Sequence, residues 1–227
     1  MSILSKSLMT MGLAALMIAP ASAQERRGPG GGMMGAGGSV SMLLSNRGVQ
    51  DELKLDAPQK EKVDEAARKA REKFESARES AQNVEGQERF ARMRELTREV
   101  DAETMKSLAD VLKPEQVTRL HGIRYQTLGA AAFQDEHLAK ALKLTDEQKS
   151  AVEQAIADSR DAMRDAPRDG DRQAAMERFR EIREKAVAQV EAKLTDEQKA
   201  EYKKIIGAPF ELRFEGRGPG GGRGPGR

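Results

Sequence analysis

The chain has 227 residues, with 39 Lys and Arg against 37 Asp and Glu, no Cys, no Trp and two His. Without cysteine there is no disulfide framework, no thiolate metal site and no cysteine nucleophile. A net charge of +2 argues against a dedicated duplex nucleic-acid binder, and no catalytic constellation is readable, so the chain is expected not to be an enzyme.

Met1 to Ala23 reads as a secretory signal. Lys6 is the positive start, Leu8 to Ala19 the apolar run, and Ala21-Ser22-Ala23 the small-residue cleavage motif. The apolar run is shorter than the ~20 residues a membrane span needs, and no cysteine follows the cut to carry a lipid. The expectation is a periplasmic or secreted protein beginning at Gln24, with no stable membrane insertion after the signal is removed.

Residues 24–39 are Gly-rich, and 208–227 form an Arg/Gly-rich tail ending GRGPGGGRGPGR. Both are flexible by composition and are expected to be disordered. Residues 24–48 and the tail each carry a net +2, whereas 49–207 carries −3; Lys6 of the signal supplies the remaining charge. These ends read first as solvated spacers. The sharper reading is weak contact with an anionic partner, such as lipid headgroups, cell-wall polymer or nucleic acid.

After Ala23, Val, Ile, Leu and Phe make up only about 17% of the residues, below the ~20% under which disorder competes. The balanced charge and strong period instead indicate amphipathic helices whose apolar stripe is largely Ala. The first arm carries Val63, Ala67, Ala70, Phe74, Ala77, Ala81 and Val84 in alternating steps of four and three, a coiled-coil seam. Glu85-Gly86 breaks it. The return arm carries Phe90, Met93, Leu96, Val100, Met105, Leu108 and Leu112. A helical link over 114–144 is loosened by Gly122 and Gly129. The second pair of arms carries Val152, Ile156, Ser159, Met163 and Ala166, then Met176, Phe179, Ile182, Ala186, Val190 and Leu194, across a turn at Pro167–Gly170. Principal helices are expected near 58–84, 87–111, 146–166 and 172–193, with no strands.

The body repeats internally. LKLDAPQKEKVDEA at 53–66 matches LKLTDEQKSAVEQA at 142–155 at a constant offset of 89. A related element closes each unit, LKPEQVTRL at 112–120 and LTDEQKAEY at 194–202. Thr145 with Gln148, and Thr195 with Gln198, fit a capping box at a helix start. Asp56 replaces Thr before Gln59. Before Gln116, Lys113 supplies no cap, but Pro114 suits the first helical position. Leu55, Leu112, Leu144 and Leu194 precede these starts, placed for a hydrophobic staple. A cap repeated at each helix start reads as architecture before it reads as a binding site.

These elements resemble the periplasmic LTxxQ-motif family (Spy/CpxP-like). Leu144-Thr145-Asp146-Glu147-Gln148 and Leu194-Thr195-Asp196-Glu197-Gln198 carry the likeness, with degenerate copies at Leu55–Gln59 and Leu112–Gln116. The wider arrangement over roughly residues 40–206 is most similar to uncharacterised secreted two-unit members. The resemblance implies helical hairpins, often in cradle-shaped dimers, that bind unfolded clients or sense envelope stress.

No catalytic residue, cofactor or metal site is expected. Glu-x-x-His is missing, since Thr118 lies three before His121 and Gln134 three before His137. Met33-Met34 could touch a soft metal, though incidental tail residues are the simpler reading. The resulting expectation is an all-α chain of two tandem antiparallel helical hairpins with short capping helices: unit 1 at 40–134, unit 2 at 135–207. Its expected role is an exported, non-catalytic, chaperone-like or envelope-stress binding protein whose partners are unfolded or envelope proteins. Alternatives are a structural or tethering protein acting through the basic ends, and a periplasmic metal-responsive protein. Phe90, Met93, Leu96, Met176, Phe179 and Ile182 become client-binding candidates wherever the hairpins diverge. Otherwise they close the bundle core.

Overall fold

The computed structural model describes residues 38–80, 86–167 and 172–212. The signal sequence, Met33-Met34, the seam positions Ala81 and Val84, and the tail from residue 213 lie outside the described residues, and so does the side chain of Phe90. What is described is all-α. Two short helices, α1 (Val40–Leu44) and α2 (Arg47–Glu52), precede the long pair α3 (Ala57–Ser80) and α4 (Gly86–Ser107). Next come α5 (Pro114–Leu128), a 3-10 turn (Gly129–Gln134) and the short α6 (Glu136–Ala141). The second long pair is α7 (Asp146–Asp165) and α8 (Arg172–Glu191), and α9 (Asp196–Ile206) closes the chain.

Each pair of long helices packs as a hairpin on its own apolar cluster. Val40, Leu43, Leu44 and Val49 from α1 and α2 join Leu53, Leu55, Val63, Leu108, Leu112, Leu120 and Ile123. The second cluster starts before residue 135: Tyr125, Ala132 and Phe133 join Leu138, Leu142, Val152, Ile156, Val190, Leu194 and Tyr202. At the same offset of 89, Leu43 and Leu44 correspond to Ala132 and Phe133, and Val49 to Leu138. The caps correspond too, Asn46 opening α2 and Asp135 opening α6. The repeat therefore extends upstream of the LKL elements, where substitution has hidden it from the sequence.

LKL itself has a backbone explanation. Lys54 and Lys143 both adopt φ of 51°, the left-handed conformation that ends a helix. Around them the Leu55 N–H reaches Gln50 C=O at 3.1 Å and the Leu144 N–H reaches Ala139 C=O at 3.0 Å. Lys points to solvent while the flanking Leu side chains are buried.

Three sequence expectations change. The N4 positions facing Leu55, Leu144 and Leu194 are Lys60, Lys149 and Lys199, so these leucines enter the clusters rather than staple a first turn. The α4 helix stops at Ser107, short of 111. Its hydroxyls turn back on the backbone there, Thr104 to Val100 C=O and Ser107 to Thr104 C=O. Finally, Gly122 does not loosen the link. A Cβ there would lie 2.6 Å from the Ile206 carbonyl, so glycine lets the end of α9 butt against the middle of α5. Arg119 and Gln126 flank it on α5 and donate to Ile206 and Ala208 carbonyls, satisfying the orphan acceptors at that helix end.

Candidate functional site

The motif glutamines meet in pairs. The Gln59 amide N–H donates to the Gln116 Oε1 at 2.9 Å, and Gln116 donates back at 3.1 Å. Across the second unit, Gln148 donates to Gln198 at 2.7 Å and receives at 3.0 Å. Each amide uses its full capacity of two donors and two acceptor sites. The remaining N–H of Gln59 reaches Val111 C=O, that of Gln116 Leu53 C=O, that of Gln148 Lys193 C=O and that of Gln198 Leu142 C=O. Each Oε1 also accepts a backbone N–H of its own helix start, from Asp56, Lys113, Thr145 and Thr195 respectively. One reciprocal amide pair thus ties two helix starts and two preceding turns together at the base of each hairpin.

The Thr145 and Thr195 hydroxyls accept the Gln148 and Gln198 N–H groups at 3.2 Å, and the Asp56 carboxylate accepts from Gln59 at 2.9 Å. Lys113 offers no side-chain acceptor, so its helix start has only the reciprocal half of the box. Both threonines are exposed. Thr145→Ala is expected to lower unfolding free energy by about 0.5–2 kcal/mol in urea melts and to leave partner binding unchanged. Binding lost with an unaltered melt would mark the motif as a recognition surface instead.

Beyond this clasp, packing thins toward the hairpin ends. On α3 and α4, Val63, Ala70, Val100 and Leu108 are buried, whereas Phe74, Ala77, Met93 and Leu96 are only half-buried. In the second hairpin Ile156 and Ala186 form the last buried layer; Ser159, Met163 and Ile182 are half-buried, while Met176 is 63% exposed and Phe179 36% exposed. Met93, Leu96 and Ile182 are thus partly used in packing, Met176 stands largely in solvent, and Phe179 is exposed over about a third of its surface.

A buried polar group that the heptad reading passed over lies at the junction of the hairpins. Asp101 of α4 accepts the Val40 N–H at 2.8 Å, anchoring the start of α1. Arg124 of α5 bonds Asp135 at 2.8 Å and the Gly38 carbonyl at 3.1 Å, and stands 3.8 Å from Asp101 Oδ2. Among the described residues that Oδ2 is the buried side-chain oxygen with no hydrogen-bond partner. Burial raises the Asp101 pKa to about 6, against the Val40 bond and the Arg124 charge. Burial also works against the Asp135 carboxylate, yet the Arg124 hydrogen bond and the Leu138 N–H hold it below its ordinary value.

His121 and His137 line one open cavity of about 260 Å³ with Thr118, Tyr125, Leu138, Ala141 and Ile205. Burial, reinforced by Arg124, lowers the His121 pKa and so favours the neutral imidazole. No group of three or more His, Asp or Glu able to hold a metal occurs among the described residues. Nor is any described helix long and apolar enough to cross a membrane.

No family model, curated protein or solved structure matches the chain.

Proposed function

We propose that the chain is an exported, non-catalytic helical binding protein that holds partly unfolded polypeptides in a chaperone-like manner, with the outer part of the second hairpin as its contact face. The observation that carries this reading is the exposure of Met176 and Phe179 on one stripe of α8, beside half-buried Ile182. A largely exposed methionine and a partly exposed phenylalanine, on a seam whose inner residues Ala186, Val190 and Leu194 are buried, are better suited to contact than to core. Methionine adds adaptability to the shape of what it touches. Glu177, Arg178, Arg180 and Glu181 interleave the stripe with both signs of charge, which suits weak binding of varied segments over tight binding of one. The export reading rests on residues 1–23 and the chaperone-like reading also on the resemblance of the LTxxQ elements.

The test is suppression of aggregation of a chemically denatured client by the wild type and by Met176→Gln/Phe179→Gln. Met176 is largely exposed, so its replacement is expected to change stability by no more than about 0.5 kcal/mol; Phe179 is partly covered, so its replacement is expected to cost about 1 kcal/mol and leave the chain folded. The double variant is expected to lose most of the suppression. Full suppression by this variant would remove the stripe as the contact face.

A further inference from the structure

We propose that the groove between α2 and α5 is a binding site for an extended peptide with apolar residues at alternate positions, and that the chain's own strap, residues 207–212, occupies it in cis.

The strap begins where α9 ends. Gly207 adopts a φ of 67°, in the left-handed region that favours glycine, and a Cβ there would stand 3.1 Å from the Arg119 guanidinium. From Gly207 to Leu212 the chain has no helical turn, and Pro209 disfavours one in the residue before it. Phe210 and Leu212 are half-buried while Glu211 between them is exposed, the alternation of an extended segment. Tyr202 of α9 belongs to the second apolar cluster, whereas Phe210 and Leu212 pack on the first. The Phe210 ring reaches α2, 4.0 Å from where a Cβ on Gly48 would lie.

The polar groups that α5 turns to the strap meet its backbone. The Gln126 amide works in both directions: Oε1 accepts the Phe210 N–H at 2.8 Å, and Nε2 donates to the Ala208 carbonyl at 2.9 Å. It thereby imitates a neighbouring strand, which also offers one segment both an acceptor and a donor. Arg119 donates to the same Ala208 carbonyl at 2.9 Å and is fixed by Glu52 of α2 at 2.7 Å. None of these bonds depends on which side chains the strap carries. Main-chain bonds combined with apolar sites for alternate side chains are how extended peptides are recognised, so another chain with the same alternation can take the strap's place. The strap's two anchors are only half-buried, which suits exchange. Its tether holds it at a high local concentration, so it is the competitor that an incoming peptide must displace. The class of partner, an unfolded polypeptide segment, rests on the binding reading above, but the residues are separate from the α8 stripe.

The probe is a fluorophore-labelled peptide APFEL-amide, which copies residues 208–212, titrated against the full chain by anisotropy. Phe210→Ser/Leu212→Ser empties the groove and is expected to bind the probe about tenfold more tightly than the wild type, the tethered competitor being gone. Adding Gln126→Met, similar in shape but unable to serve the peptide backbone, is expected to weaken that binding about tenfold. A probe with Ser in place of its Phe and Leu is expected not to bind. Met176→Gln/Phe179→Gln on α8 is expected to leave probe affinity unchanged, so probe binding and aggregation suppression fail or stand separately. In the wild type, saturating probe is expected to speed hydrogen exchange of the Phe210 amide about tenfold by NMR, as its bond to Gln126 is given up. That measurement needs no variant and decides the matter should the emptied chain fail to fold. An emptied, folded chain that binds the probe no better than the wild type would overturn the proposal. So would binding indifferent to Gln126 or to the probe's apolar residues, or a Phe210 amide that exchanges alike with and without probe.

Discussion

Gln116→Glu is expected to lower the unfolding free energy by about 3 kcal/mol or more, whereas the same change at Gln198 lowers it by about half as much or less. The substitution is nearly isosteric, so no cavity forms and the effect is one of hydrogen-bond donors. A carboxylate cannot supply the two N–H groups that Gln116 gives to Leu53 C=O and Gln59 Oε1. Its oxygen would face two acceptors inside a site where Gln116 is 6% and Gln59 8% exposed. Placing an unpaired charge there adds desolvation to the loss of both bonds. The Gln148–Gln198 pair has the same connections but is half-buried, so water can replace lost partners and screen the charge. Urea unfolding of both variants at neutral pH measures the contrast. Equal losses at the two sites would show that burial does not set the strength of the clasp. A Gln116→Glu chain as stable as the wild type would dismiss the amide pair as a structural element.

The pairing explains why glutamine, and not glutamate, suits the third helical position at each start. A capping box accepts either residue there, because only a side-chain acceptor for the N-cap N–H is needed. Here the amide must also donate twice. Sequence periodicity located the helices and their starts because both are local: heptads define a face, and caps satisfy groups within one turn. The partner of each glutamine was not legible, since 57 residues separate Gln59 from Gln116 and no local rule joins them. The upstream repeat was hidden for a related reason. Leu43 and Leu44 perform the packing role of Ala132 and Phe133, a redistribution of volume that keeps the layer and loses the letters. The role of Gly122 is not legible in the sequence, because a glycine inside a helix has the same signature whether it bends the helix or admits a neighbour. In the sequence Asp101 is one acid among many on a charged helix. Its distinction is the N-terminus of α1 that it faces, 61 residues away in the chain.

Asp101 gives the second large effect, one that depends on pH. Its native pKa is raised from 3.8 to about 6, first by burial. The folded state therefore holds this proton more tightly than the unfolded chain does. Between about pH 4 and pH 6 the native protein is the more protonated of the two, so its stability falls as pH rises through that window and levels off above it. For this shift the contribution is about 2–3 kcal/mol more stability at pH 4 than at pH 7.5. Other groups at the junction act differently. The lowered pKa of His121 gives stability that is present above its unfolded value and lost on acidification toward its folded one, partly opposing Asp101. The lowered pKa of Asp135 gives stability lost only below its ordinary carboxylate range. The difference between Asp101→Asn and wild type isolates the one group, because the asparagine carbonyl can still accept the Val40 N–H but does not titrate. Relative to wild type, the variant is expected to be about 2–3 kcal/mol less favoured at pH 4 than at pH 7.5 in parallel urea melts. A difference that stays constant across this range would show that the Asp101 carboxyl titrates alike in the folded and unfolded chains, and that its buried Oδ2 carries no proton at mildly acidic pH.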